Sequence, residues 1–174
     1  MSPVTVRDAR RDDLLVIHRM IHELATFEGM PDGPQLSVAD LEEDGFDSSP
    51  PWYFLLIAEH EGEIVGYAMC NRAYSSWTRR AFYLEDLYVV PSLRRAGVGR
   101  VLLQELCTRA LSCGVQRVDW HVAANNQAAR KFYARLGARD LQLSEGRLAL
   151  RLDAPRIQAV AHGNLLPAGD VLCD

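Results

Sequence analysis

The sequence has no apolar run near the ~20 residues that a membrane-spanning helix needs, so no membrane segment is expected. Its four cysteines, Cys70, Cys107, Cys113 and Cys173, form no CxxC pair. With no signal-like N-terminus either, reduced thiols in a cytoplasmic protein are the expectation. There is no internal repeat and no low-complexity stretch. An excess of positive charge is also missing. The net charge of −4 argues against nonspecific nucleic-acid binding. What is present is a soluble globular composition, 48% hydrophobic and 24% charged, on 174 residues, enough for one domain with a substantial core.

Periodicity divides the chain. Val4 to Arg7 alternates as a short strand. Asp12 and Asp13 stand where a helix start favours acids. Leu14, Ile17, Ile21 and Leu24 mark one face of an amphipathic helix that stops at Gly29 and Pro31. His18 and His22 are i, i+4 on it, but no third metal ligand accompanies them, and they read as polar-face residues. Ser37-Val38-Ala39-Asp40 resembles a capping box and opens a short acidic helix ending at Gly45. Tyr53 to Glu59 and Ile64 to Arg72 read as two strands around a turn at His60-Glu61-Gly62-Glu63, followed by a polar loop from Tyr74 to Arg80. After the central stretch come a strand at Val118 to Val122 and a helix opened by Asn125 and Asn126. A last hairpin is read from Leu141 to Ser144 and Leu148 to Leu152. The order β-α-α-β-β-β-α-β-α-β-β predicts an α/β domain with a mixed sheet and helices on both faces, spanning 1–153. Residues 154–174 read as a weakly packed or partner-docking tail, with Leu165, Leu166 and Val171 as docking candidates.

The stretch from Tyr83 to Gly99, YLEDLYVVPSLRRAGVG, organises the rest. A strand carries two adjacent acids, Glu85 and Asp86, and ends at Pro91, which has no N–H for a sheet ladder. The loop Arg94-Arg95-Ala96-Gly97-Val98-Gly99 precedes a helical pattern beginning at Val101. A strand, a loop of backbone N–H groups and a helix start together suit a phosphate, and no acid in the first turn repels one. A dinucleotide fingerprint would need a small residue where Leu102 stands, and a Walker loop would need Gly-Lys-Ser/Thr. Arg-x-x-Gly-x-Gly remains.

In this strand–loop–helix setting, that pattern resembles the acyl-CoA-binding loop of the GNAT superfamily of N-acetyltransferases. Phe27-Glu28, Trp77, Tyr83-Leu84-Glu85-Asp86, Asn126, the run Phe132 to Ala138 and Leu41-Glu42-Glu43-Asp44-Gly45-Phe46 narrow the resemblance. They are similar to the diamine/polyamine (spermidine/spermine) and thialysine acetyltransferases, from about Val4 to Asp153. The resemblance implies the GNAT acyltransferase fold with its mixed, mostly antiparallel sheet, acetyl-CoA as co-substrate, no metal, a small-molecule amine as partner and a homodimer. It implies a cofactor site at Leu87, Tyr88, Val89, Arg94, Arg95, Ala96, Gly97, Val98, Gly99, Arg100, Asn126, Ala129 and Tyr133.

Glu85 is the implied proton acceptor for the ammonium, directly or through water, and Tyr133 the donor to the leaving thiolate. Phe27, Glu28, Trp77, Glu85, Asp86, Asp119, Trp120 and His121 are the implied amine site, with acids for the cations and aromatics for methylenes or cation–π contacts. Each also has a structural reading: Glu85 as a surface acid at a sheet edge, Tyr133 and the other aromatics as core packing. The sequence departs from the subgroup at Arg95, where a glycine is usual, at Arg147, where a tryptophan is usual, and at Ser75-Ser76, a position of acids in spermidine-type members. A protein amine, an amino-sugar antibiotic, or a non-catalytic acyl-CoA-binding role are the competing readings.

Overall fold

The computed structural model describes residues 3–164. They gather into two compact units, one ending at Ala123 and one beginning at Ala124. Leu165, Leu166, Val171 and Cys173 lie outside the described residues.

The first unit contains a five-stranded sheet in the order β1-β2-β3-β4-β5. Its strands are β1 (Thr5–Asp8), β2 (Phe54–His60), β3 (Glu63–Ser75), β4 (Arg79–Val89) and β5 (Arg117–Asp119). All neighbours are antiparallel except β4 and β5, which run parallel. This is the mixed, mostly antiparallel sheet that the sequence predicts. α1 (Leu14–Phe27) and α3 (Val98–Ser112) cover its faces, and α2 (Val38–Glu42) runs into one π turn over Glu43–Asp47.

Side chains alternate along each strand, so every strand feeds two layers. Leu55 and Ile57 of β2, Tyr67 and Met69 of β3 and Tyr88 of β4 form one core with Leu14, Ile17, Met20 and Ile21 of α1. The intervening residues Leu56, Ala58, Ala68, Cys70, Phe82 and Leu84 are also buried. On that side α3 packs against β1 to β4, contributing the buried residues Leu102, Leu103, Leu106 and Ala110. Arg109 of α3 fixes this layer, stacking 5.3 Å over Phe54 and pairing with Asp8 at 2.6 Å.

The ends of α1 are set locally. At its start the Asp13 carboxylate takes both Arg7 nitrogens, at 2.7 and 3.0 Å, and the Arg10 N–H at 2.6 Å. The Arg7 guanidinium holds that carboxyl below the usual carboxylate range. At its end the Gly29 N–H donates to Thr26 and the Met30 N–H to Ala25, a Schellman closure that needs the positive φ of 79° at Gly29. The closure fixes Glu28 as the last residue of the turn. The Ser37–Asp40 box forms as read, with Ser37 Oγ accepting from the Asp40 N–H.

Four expectations are corrected. β3 and β4 extend through most of the expected loop, leaving a tight turn whose Trp77 and Thr78 N–H groups donate to Ser75 Oγ. α3 begins at Val98, not Val101, so Gly99 lies inside its first turn. β5 stops at Asp119 because its ladder to β4 ends there. In the second unit the expected last hairpin is absent: α5 (Leu141–Glu145) replaces its first arm, and 148–152 carries no ladder. The Leu-x-Leu alternation at Leu141 and Leu143 suggests a strand, but the Asp140 carboxylate accepts from the Gln142 and Leu143 N–H groups and starts a helix. α4 (Gln127–Arg135) and α6 (Ala154–Ala161) complete that unit, the latter with Pro155 in its first turn.

Candidate active site

β4 carries the site, and a bulge at Glu85 divides it. Met69 pairs with Asp86 while the next residue, Cys70, pairs with Leu84, so Glu85 is the extra residue. In a regular strand Phe82, Leu84, Asp86 and Tyr88 would share one face. Instead Phe82 and Leu84 stay with the apolar layer under α3, while Asp86 and Tyr88 turn to the layer under α1.

On that side two phenols meet two carboxylates. The Tyr67 hydroxyl donates to Asp86 Oδ2 at 2.8 Å, and the Tyr88 hydroxyl donates to Glu23 Oε2 of α1 at 2.6 Å. Burial pushes the Asp86 carboxyl up to about 6; the Tyr67 donation opposes the rise, and the neighbouring charges of Glu85 and Glu28 add to it. Burial pushes the Tyr88 phenol up to about 12 and raises the Tyr67 phenol as well. Glu85 itself is exposed. The acids named from sequence at 28, 85 and 86 therefore share one electrostatic neighbourhood. Tyr67 was not among the residues read from sequence. Its only signal was a tyrosine inside an otherwise apolar strand.

The loop after β4 has the features of an anion cradle. Gly97 caps α3 with φ 92°, and Arg95 is also left-handed, at φ 68°. The Val98, Gly99 and Arg100 N–H groups precede the first intrahelical bond, from Val101 to the Gly97 carbonyl at 3.1 Å. No acid stands in the first turn of α3. The Val98 side chain is in the core at 1% exposure, so only its backbone faces this role. Arg95 and Arg100 are exposed. Arg94 is engaged within the fold: Nε donates to the Val89 carbonyl at 3.0 Å, and the guanidinium lies 4.4 Å over Phe27 and 5.7 Å from the Tyr88 ring centroid. Phe27 thus sits beneath a loop arginine.

Along the other edge, β4 pairs with β5 only from Ala81 to Tyr83. Leu84 to Val89, including Leu87, Tyr88 and Val89, have no ladder on that side among the described residues. At the end of the ladder the Tyr83 hydroxyl meets His121 Nδ1. Asp119 is paired with Arg117 at 2.8 Å, which offsets the charge expected to hold an amine, and Trp120 beside it is half-buried. Trp77 is at the hairpin turn. The six-residue rise from Met69 to Ser75 along β3 puts it roughly 20 Å from Asp86, so the chain does not bring it to the acids.

In the second unit Asn126 caps α4, its Oδ1 accepting from the Ala129 N–H at 3.1 Å. Asn126, Ala129 and Tyr133 follow at spacings of three and four, on one face of the helix. The Tyr133 ring lies 5.3 Å from that of Phe132. Arg147 pairs with Glu145 at 3.0 Å.

Comparison with known proteins adds four findings. The model of the acetyltransferase (GNAT) family matches residues 18–138. The chain is 35% identical over 168 residues to a thialysine N-epsilon-acetyltransferase of Mus musculus, covering 92% of this chain and 99% of that protein. It is 35% identical over 152 residues to a spermidine/spermine N(1)-acetyltransferase-like protein 1 of Homo sapiens, covering 84% of this chain but 22% of that protein. Among solved structures, an integron cassette protein from V. cholerae superposes with a TM-score of 0.74 at 24% identity, covering 92% of this chain and 98% of that one.

Proposed function

Because the chain belongs to the GNAT family and is therefore an acetyl-CoA-dependent N-acetyltransferase, we propose that its acceptor is a primary amine of a small cationic molecule, a polyamine, a diamine or a thialysine-like amino acid. The observation that carries this reading is the half-buried Asp86 carboxylate of β4, which feels the charges of Glu85 beside it and of Glu28 at the end of α1, a set of negative charges suited to ammonium groups. The relatives named for thialysine and spermidine/spermine support the same substrate class.

Acetyl-CoA supplies the activated acyl group as a thioester. The N–H groups of Val98, Gly99 and Arg100 hold its pyrophosphate at the start of α3, with Arg95 and Arg100 adding charge and Ala96 and Gly97 shaping the turn. The unladdered edge at Leu87, Tyr88 and Val89 offers backbone groups to an extended arm, and the resemblance to the family adds Asn126 and Ala129 to the cofactor's ligands. The absence of an acid in the first turn of α3 and the left-handed Gly97 fit such a group.

An alkyl ammonium has a pKa near ~10.4, so it arrives protonated at neutral pH. Asp86 and Glu28 hold it, Glu85 accepts its proton through water, and Tyr133 gives its phenolic proton to the leaving sulfur. Bringing the two reactants together is the larger part of the acceleration. We further propose a cytoplasmic homodimer, which light scattering on the purified protein checks; no helix among the described residues is long and apolar enough to cross a membrane.

The test is thiol release from acetyl-CoA with spermidine, putrescine, thialysine, lysine and a peptide as acceptors. Turnover with the small amines and not the peptide is expected, and turnover with the peptide alone would sink the reading. Glu85→Gln lowers kcat by about 10²-fold or more while CoA affinity holds. A collapse of CoA affinity instead would assign Glu85 to cofactor binding.

A further inference from the structure

We propose that Tyr67 is the positioning residue of the amine site, clamping one carboxylate oxygen of Asp86 so that the other faces the substrate ammonium. This deepens the amine-acetylation reading and rests on it.

Three observations support the inference. Tyr67 is 0% exposed in the middle of β3, where a phenylalanine would fill nearly the same volume. A buried phenol needs a partner, and this one donates to an acid at 2.8 Å. The aim comes from register. Tyr67 pairs with Tyr88 and Met69 pairs with Asp86, so the phenol and the carboxylate are diagonal neighbours on the same face.

The surroundings are one-sided. On its own side Asp86 meets the charge of Glu28 at the end of α1 and of Glu85 on β4, and the Tyr67 phenol of β3. Among the described residues none of the three acids has an ion-pair partner, while one oxygen of Asp86 is already held by the phenol. A cation entering this cluster meets a carboxylate whose orientation is fixed before it arrives, which lowers the ordering cost of binding. The phenol also favours the ionised carboxyl against burial and the two like charges. The substrate class this selects is a compact ammonium rather than a neutral or anionic acceptor.

Tyr67→Phe keeps the ring and removes the hydroxyl. Binding of spermidine and of thialysine to CoA-saturated protein is measured by calorimetry, with CoA affinity and the thermal midpoint as controls. The amine Kd is expected to rise about tenfold with CoA affinity unchanged, and the acidic limb of amine binding to move up by about one pH unit. In an Asp86→Asn background the same substitution is expected to add nothing, because Tyr67 acts through that carboxylate.

An unchanged amine Kd in Tyr67→Phe, or an equal loss in both backgrounds, overturns the proposal. A fall in CoA affinity and thermal midpoint along with amine affinity also overturns it, as a packing role. So does a wild-type protein that binds neither amine. Wild-type protein that binds the amines without acetylating them sinks the amine-acetylation reading and leaves the positioning role intact. Turnover with an unaffected Tyr67→Phe does the reverse.

Discussion

The two layers that meet β4 are built from different chemistry. Under α3 the strand presents Phe82 and Leu84, packed edge-on at Phe54 and sealed by Leu102 and Leu106. Under α1 it presents Asp86 and Tyr88, each in a phenol–carboxylate bond. The residue between these stretches is Glu85, at the bulge. One strand can therefore anchor the fold on one side and hold charge on the other. The apolar layer stabilises by burial, roughly 25 cal/mol per Å². The layer under α1 has an apolar core of its own but also holds an acid whose pKa is pushed up to about 6, which costs stability at neutral pH.

Substitutions in the two layers should then have opposite signs. Phe82→Ala removes a ring that is 4% exposed and is expected to cost about 3–5 kcal/mol in urea unfolding, with kcat/KM per folded molecule little changed. A loss of catalysis at unchanged stability would break the comparison.

Asp86→Asn is expected to do the reverse. The folded pKa of about 6 lies above the unfolded value near ~3.9, so the stability linked to this group is complete below pH ~4 and lost as pH rises through about 6. At pH 7 the amide is expected to be more stable by up to about 3 kcal/mol, with the gap to wild type closing near pH 4 and amine binding weakened above about pH 6, where the wild-type carboxylate is ionised. Parallel stability–pH curves for the two proteins would show that burial does not penalise this carboxylate.

The contrast ends in a smaller effect beyond the strand, where backbone conformation carries the cost. Arg95 is left-handed at φ 68°, a region that favours glycine. Arg95→Gly is expected to gain about 0.5 kcal/mol net, since relief of the left-handed conformation slightly exceeds the extra entropy of an unfolded glycine. A rise of about 2 °C in Tm checks it.

Much of this arrangement was legible in the chain. The strand–loop–helix order around Glu85, Asp86 and Gly97, the end of α1 at Gly29 and the box at Ser37 are local signals, and the structure keeps them. The acids at 28, 85 and 86 were grouped through resemblance, and the fold brings them into one neighbourhood. The misreadings have specific causes. The 141–144 segment alternates like a strand, but Asp140 caps a helix there. The turn at Ser75 to Thr78 was read as a loop because polar residues continue along both arms of an exposed hairpin. One contact left no local signal: Arg94, expected among the cofactor-binding residues, lies over Phe27, 67 positions earlier, and nothing in its spacing shows it.

By itself the sequence determined where the helices stop, where the phosphate-suited loop lies and which residues carry charge, because caps, glycines and periodicity act over a few neighbouring residues. The tertiary structure alone decided which way Asp86 faces and what holds it. Facing after a bulge depends on the register between β3 and β4, and register is set by pairing and burial summed along both strands. The clamp by Tyr67 follows from that register.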